Sequence, residues 1–186
     1  AKLAFKGQAT DALKMEQLSG QFVVSGPSLA AAGEALGIGP VGSRALMSLR
    51  VEKGYGSWGR DYSPEYWPQE TGLGGLVKLD KPFLNRDACA EVMQRPPREL
   101  LRSLSIEATD ADATGSEPIF DLQGRPAGRV SSGAYGYHVG QSLALAYLRP
   151  DIAAGTALEV MILGRTHRAV VLAGPAFDPE GHRLRQ

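Results

Sequence analysis

Apolar residues along this chain recur with two different periods, and the period changes once. Up to about residue 95 the runs have helical spacing. The alanine-rich stretch LAAAGEAL follows Ser28 and stops at Gly37, and RALMSLRVEK follows Ser43 and stops at Gly54. In each, a serine can take up the free N–H groups of a first turn, and a glycine can take the left-handed conformation that ends a helix. Within the second run Leu46, Leu49 and Lys53 share one face by helical spacing. A third helix, ACAEVMQR, begins at Asn85 or Asp87 and is terminated by Pro96 and Pro97. The FVV run at 22–24 and LVKLD at 76–80 read as strands, and Thr10 could cap a short helix through Leu18.

Beyond the Pro-Pro pair the texture is strands and turns. LLRSLSIEA, PIFD, AGRVSS, SLALAYL, ALEVMIL and HRAVVLAG are short apolar runs separated by glycine-bearing breaks. Six such strands predict a small antiparallel barrel or sandwich. Between the two textures lies YGSWGRDYSPEYWPQETGLGG, residues 55–75, which sustains neither period and reads as an ordered loop. Both tryptophans sit in it. Large, rigid, partly polar rings suit the wall of a ligand cavity, or plug the gap between two lobes.

Composition narrows the class. Twenty basic residues balance twenty acidic ones among 186, so no global field draws the chain to nucleic acid or to an anionic membrane. No apolar run approaches the roughly 20 residues of a spanning helix. The first residues have no signal-peptide core, and the reading is a cytoplasmic protein. One cysteine, Cys89, excludes an internal disulfide framework, and its helical neighbours Val92 and Met93 suit core packing. No metal site is suggested by three scattered histidines.

Three motifs look like chemistry and are better read as structure. Gly37-x-Gly39-x-x-Gly42 and Gly54-x-Gly56-x-x-Gly59 match a dinucleotide fingerprint, but both follow predicted helices instead of strands. Asp110-Ala-Asp112-Ala-Thr114-Gly115 resembles the start of a calcium loop, yet its twelfth position is Asp121 and strands flank it. His138 stands in SGAYGYHVG with no G-x-S-x-G elbow anywhere.

A longer, ordered set of matches carries more information. Leu49-Arg50-Val51-Glu52, Gly59-x-Asp61, Pro68-x-Glu70-x-Gly72-Leu73, Lys81 and Phe83 resemble the signature of the glycine cleavage T-protein (aminomethyltransferase) superfamily. GRVSSGAYGYHVGQSLALAYL at 128–148 resembles its strand pair, and GPAFDPEGHRLRQ its closing segment. The Glu-Lys-x-Tyr-x-x-Trp-Gly run at 52–59 is most similar to the dimethylglycine and sarcosine dehydrogenase branch. T proteins carry an Arg-Asp pair where this chain has Leu46 and Met47, so that arginine's folate contact does not transfer.

The resemblance implies an α+β protein. A short α/β lobe, the remnant of a folate-binding domain, precedes a small antiparallel β-barrel. It divides the chain into residues 1–24, which do not match the family, a partial folate-binding lobe at 25–95, and the barrel at 96–186. It implies tetrahydrofolate as cofactor and a small methylated amine as substrate. An FAD domain, expected ahead of this chain, oxidises the amine, and the folate module captures the one-carbon unit as methylene-tetrahydrofolate. A closed cavity protects such a unit from water. The pterin-binding segment and the catalytic aspartate of the family have no counterpart here. The chain is therefore expected to hold no catalytic residue, and either to complete a longer protein or to assemble with a partner chain. The residues expected near the cofactor are Tyr66 and Glu70 in the loop, and Tyr135 and His138 in the strand-pair turn. Arg50 and Glu52 are expected in internal hydrogen bonds, and Arg44 or Arg183 could meet the folate's glutamate tail.

Overall fold

The computed structural model describes residues 2–8, 19–25, 37, 39 and 41–185. Two compact units divide at Gly42 and Ser43, so Pro96 and Pro97 lie within the second. In the first unit, β1 (Lys2–Gln8) pairs antiparallel with β2 (Ser19–Ser25), Lys2 opposite Ser25 and Gln8 opposite Ser19. The strand expected at 22–24 falls in β2, whereas β1 was not anticipated. The helices expected from Thr10 and after Ser28 lie outside the described residues.

The second unit opens with α1 (Ser43–Glu52), starting at the expected serine. It closes through Gly54 at φ 70°, a left-handed stop that costs a side-chain-bearing residue most. Of the three residues that helical spacing put on one face, Leu46 and Leu49 point outward, 60% and 56% exposed, whereas Lys53 is shielded in an ion pair with Asp178. The inward residues are Ser48, Val51 and Glu52, packed toward two barrel strands.

Residues 55–75 form turns ending in one 3-10 turn, Gly74–Leu76. LVKLD is not a strand: residues 77–80 join no ladder, and Leu76 is largely exposed. A strand needs an open edge to pair with, and the nearby barrel has none. The third predicted helix is present as α2 (Arg86–Met93), entered through Asn85 at φ 60°, a conformation asparagine tolerates.

All six strands predicted after the prolines are present: β3 (Leu100–Ile106), β4 (Pro118–Asp121), β5 (Pro126–Gly136), β6 (Gln141–Leu148), β7 (Ala157–Ile162) and β8 (Arg165–Val171). They close into a barrel of order β3-β6-β5-β4-β7-β8, every neighbour antiparallel. Closure settles the barrel-or-sandwich choice and removes both sheet edges. Leu104, Ile119, Val130, Leu148, Leu158 and Val160 fill the interior. Each such burial is worth roughly 1.5–3 kcal/mol relative to exposure. In β6 the outer residues Leu143, Leu145 and Tyr147 are buried too, because α1 and the 55–75 connector cover that side of the barrel. No helix among the described residues is long and apolar enough to cross a membrane.

Candidate functional site

The connector is fastened to the barrel by one carboxylate. Asp61 is fully buried, and its oxygens accept from the Ser57 N–H (2.8 Å), the Arg50 guanidinium (2.8 Å), the Ser131 hydroxyl (2.6 Å) and the Ser132 hydroxyl (3.0 Å). Two consecutive residues of a regular strand point to opposite faces. Here the ladder between β5 and β6 shifts register between Val130 and Ser132, and this bulge turns both hydroxyls toward Asp61. Arg50 also donates to the Tyr55 carbonyl and to Ser132. The Tyr147 hydroxyl reaches the Asp61 carbonyl at 2.6 Å. Burial pushes the Tyr147 phenol well up, so it serves as a neutral donor. Arg50 is thus used internally, as expected.

Glu70 is equally buried. It accepts from the N–H groups of Trp67 and Arg98 (2.9 Å each) and from the Arg98 guanidinium at 2.9 and 2.7 Å. Arg98 and the backbone donors outweigh desolvation and lower its pKa from 4.5 to about 2. Its oxygens face protein donors, and Arg98 in turn lies 4.6 Å over the Trp67 ring. The second tryptophan, Trp58, is 74% exposed.

Tyr66 stacks flat on Tyr147, with centroids 3.8 Å apart and planes within 8°. Its hydroxyl meets Arg129, which also pairs with Glu99 at 3.0 Å. Burial raises the Tyr66 pKa, the Arg129 charge opposing. Tyr135 lies at the far end of β5, its carbonyl accepting from the Ser48 hydroxyl of α1 at 2.7 Å and its ring meeting Tyr137 edge-on at 5.1 Å. The His138 N–H donates to Glu52 at 2.7 Å, and its ring meets Phe177 edge-on at 4.5 Å. Glu52 is therefore internal, as expected.

Two clefts run along the outside of β5. The first, about 380 Å³, lies between α1 and the 112–114 loop, and its lining includes Arg44, Met47, Arg60, Asp112, Tyr135 and Tyr137. The second, about 440 Å³, is lined by Tyr66, Arg129, Tyr147 and Ser131 among others. Arg60 and Thr114 line both. The four expected residues are thus dispersed: Tyr135 lines the first cleft, Tyr66 the second, Glu70 is enclosed under the connector, and His138 faces Phe177. Of the two arginines considered for a folate tail, Arg44 lines the first cleft, whereas Arg183 lies 5.2 Å over Phe177.

Sequence reading missed Arg60, Tyr137 and Arg129. Arg60 was in plain view as the middle residue of Gly59-x-Asp61, but a motif's variable position carries no flag. It has no carboxylate partner among the described residues, and its contact is a long one, 3.5 Å, to the Thr114 carbonyl. The acidic residues of the calcium-like loop are spent separately. Asp110 pairs with Arg165, Asp112 accepts from Ser142, Glu117 caps the N–H groups of Thr114 and Gly115, and Asp121 pairs with Arg125. The 54–59 glycine motif leaves α1 and enters the connector, so no helix start follows it.

A closed six-stranded barrel with one covered side, a bulged strand and flanking clefts defines the class as a small α+β barrel module. Comparison with known proteins places it further. The glycine cleavage T-protein C-terminal barrel domain matches residues 100–178, and the GCVT N-terminal domain matches residues 24–81. The chain is 36% identical over 156 residues to 4-methylaminobutanoate oxidase (formaldehyde-forming) of Paenarthrobacter nicotinovorans, covering 83% of this chain and 19% of that protein. It is 34% identical over 157 residues to mitochondrial dimethylglycine dehydrogenase of Mus musculus, covering 83% and 18%. The chain spans about a fifth of the length of these two relatives. In fold it is similar to the glycine cleavage system aminomethyltransferase T from Bartonella henselae, with a TM-score of 0.70 at 24% identity, over 80% of this chain and 45% of that one. The chain belongs to the glycine cleavage T-protein (aminomethyltransferase) family.

Proposed function

We propose that this chain supplies the later part of a tetrahydrofolate-dependent one-carbon module, of the kind found in dimethylglycine and sarcosine dehydrogenases, and that the first cleft receives the folate. The observation that carries the reading is Arg60, a cation with no carboxylate partner among the described residues, in a cleft that also holds Arg44, Tyr135 and Tyr137. The residues fit the group. A folate presents a flat heterocycle, an aryl ring and a dicarboxylate tail. Guanidinium groups suit the carboxylates, tyrosine rings suit the flat parts, and Asp112, which uses one carboxylate oxygen for Ser142, can accept from heterocycle N–H groups with the other. Tetrahydrofolate, when bound, takes up the one-carbon unit released from an N-methyl group.

The protein's own residues orient and shield it. Arg44 and Arg60 fix the tail, and Tyr135 and Tyr137 keep water from one face. Tyr66 shapes the neighbouring cleft through its stack on Tyr147, Glu70 holds the connector in place, and His138 closes the turn beside the tyrosines. Oxidation of the methylated amine is assigned to an FAD domain outside this chain.

Calorimetric titration with 5-formyltetrahydrofolate tests the reading. Micromolar binding is expected, weakened about tenfold by Arg60→Ala, the loss of one charge-assisted contact of roughly 1.5 kcal/mol. No heat up to millimolar ligand, from a chain with its barrel intact, would contradict it.

A second reading is favoured by the outward leucines of α1, Leu46 and Leu49. In it the chain is a non-catalytic module whose helix packs on a partner chain carrying the rest of the site. That reading predicts no folate binding by this chain alone, and restored binding when the partner is added.

A further inference from the structure

The segment after β8 does not trail away from the barrel. It crosses the C-terminal end of α1 and grips it at several points. The Phe177 N–H donates to the Glu52 carbonyl at 2.9 Å. Lys53, next in sequence, donates to the Asp178 carbonyl and to its carboxylate at 3.0 Å. That ion pair is well shielded, its side chains 14% and 9% exposed. Asp178 also accepts from the N–H groups of His182 and Arg183 at 2.8 and 3.3 Å, which fixes the last turn of the chain around it. Its backbone sits in the left-handed region at φ 44°, a costly conformation for a non-glycine residue and one held in place by its surroundings. Gly54 lets the segment come close, since a Cβ there would lie 3.0 Å from the Pro175 ring.

The grip reaches the first cleft through α1. The Glu52 side chain accepts from the His138 and Val139 N–H groups at 2.7 and 3.3 Å. One helical turn earlier, Ser48 donates to the Tyr135 carbonyl and accepts from the Tyr137 N–H at 3.4 Å. Phe177 meets the His138 ring from the other side. The C-terminal segment, the end of α1 and the β5–β6 turn are therefore one hydrogen-bonded assembly, and the two cleft tyrosines hang from it. A rigid-body shift of the helix end moves the Tyr135–Tyr137 turn with it, because its two anchoring contacts, Ser48 to the Tyr135 carbonyl and the His138 N–H to Glu52, are short at 2.7 Å each.

We infer that the segment 174–185 is a clip that sets the tyrosine wall of the cleft, with Lys53 and Asp178 as positioning residues remote from any ligand. Its meaning for folate rests on the reading above, but the clip is a property of the chain itself and is tested separately.

The variant Lys53→Met removes the ion pair and leaves the turn around Asp178 intact. Hydrogen exchange of the His138 and Val139 amides is expected to quicken about tenfold, a local opening, while β6 amides such as Leu145 stay unchanged. The aromatic NMR signals of Tyr135 and Tyr137 shift with them, 5-formyltetrahydrofolate binds about fivefold more weakly, and Lys53→Arg restores all three. Unchanged exchange and unchanged tyrosine signals in Lys53→Met would overturn the clip. So would exchange that quickens equally across the barrel, which marks plain loss of stability. Altered tyrosine signals with unaltered folate affinity would overturn its bearing on the cleft. If the unaltered chain binds no folate, the folate reading falls, and the exchange and tyrosine signals still decide the clip.

Discussion

The family resemblance places Glu70 near the cofactor. Its geometry shows four hydrogen bonds from Trp67 and Arg98 to its two oxygens. A carboxylate whose pKa falls from 4.5 to about 2 on folding adds stability that is fully present above about pH 4.5. That stability is lost as the pH drops toward 2. Glu70→Gln is therefore expected to cost roughly 1–3 kcal/mol at pH 7. Urea denaturation of the variant should also show a smaller loss of stability between pH 4.5 and 2 than the unaltered chain shows. Asp61→Ala should cost more, about 3–5 kcal/mol, because it strands the Arg50 guanidinium and two serine hydroxyls under the connector. Thermal melts would check both. Neither effect could be derived from periodicity, since Glu70 and Arg98 are 28 residues apart and Asp61 and Ser131 are 70 apart. The motifs drew attention to Glu70 and Asp61 as residues, but their partners come from the fold.

The elements themselves were more legible. Alternating short apolar runs with glycine breaks located all six barrel strands, and the Ser43 and Gly54 signals bounded α1. LVKLD misled because alternation describes a face and says nothing of a neighbour to pair with. Spacing alone did not say which face of α1 turns inward: the inward positions include Ser48 and Glu52, polar residues that bond the β5–β6 turn. Close packing of β5 is also hidden in the letters. A Cβ on Gly133 would sit 2.2 Å from the Ala113 carbonyl oxygen, and backbone cannot yield as a flexible side chain does. Gly133→Ala should therefore destabilise the barrel by about 2 kcal/mol or more. Gly124→Ala, where the added atom meets open space, pays only for its left-handed turn. Comparing the two by chemical denaturation separates packing from backbone strain.

At the scale of the whole molecule, an ordered series of short matches identified the family before any fold was known, because order over most of the chain is far more restrictive than any single motif. It could not place the clefts, which arise where the connector, α1 and a bulged strand meet. The central claim is that the cleft beside β5 receives a folate. Amide chemical-shift mapping of the isotope-labelled chain during titration with 5-formyltetrahydrofolate tests it most directly. The account predicts saturable shifts at residues 43–48, Arg60, 112–114 and 133–137, with the β7–β8 turn at Leu163 unmoved. Shifts centred elsewhere, or none at millimolar ligand, would contradict it.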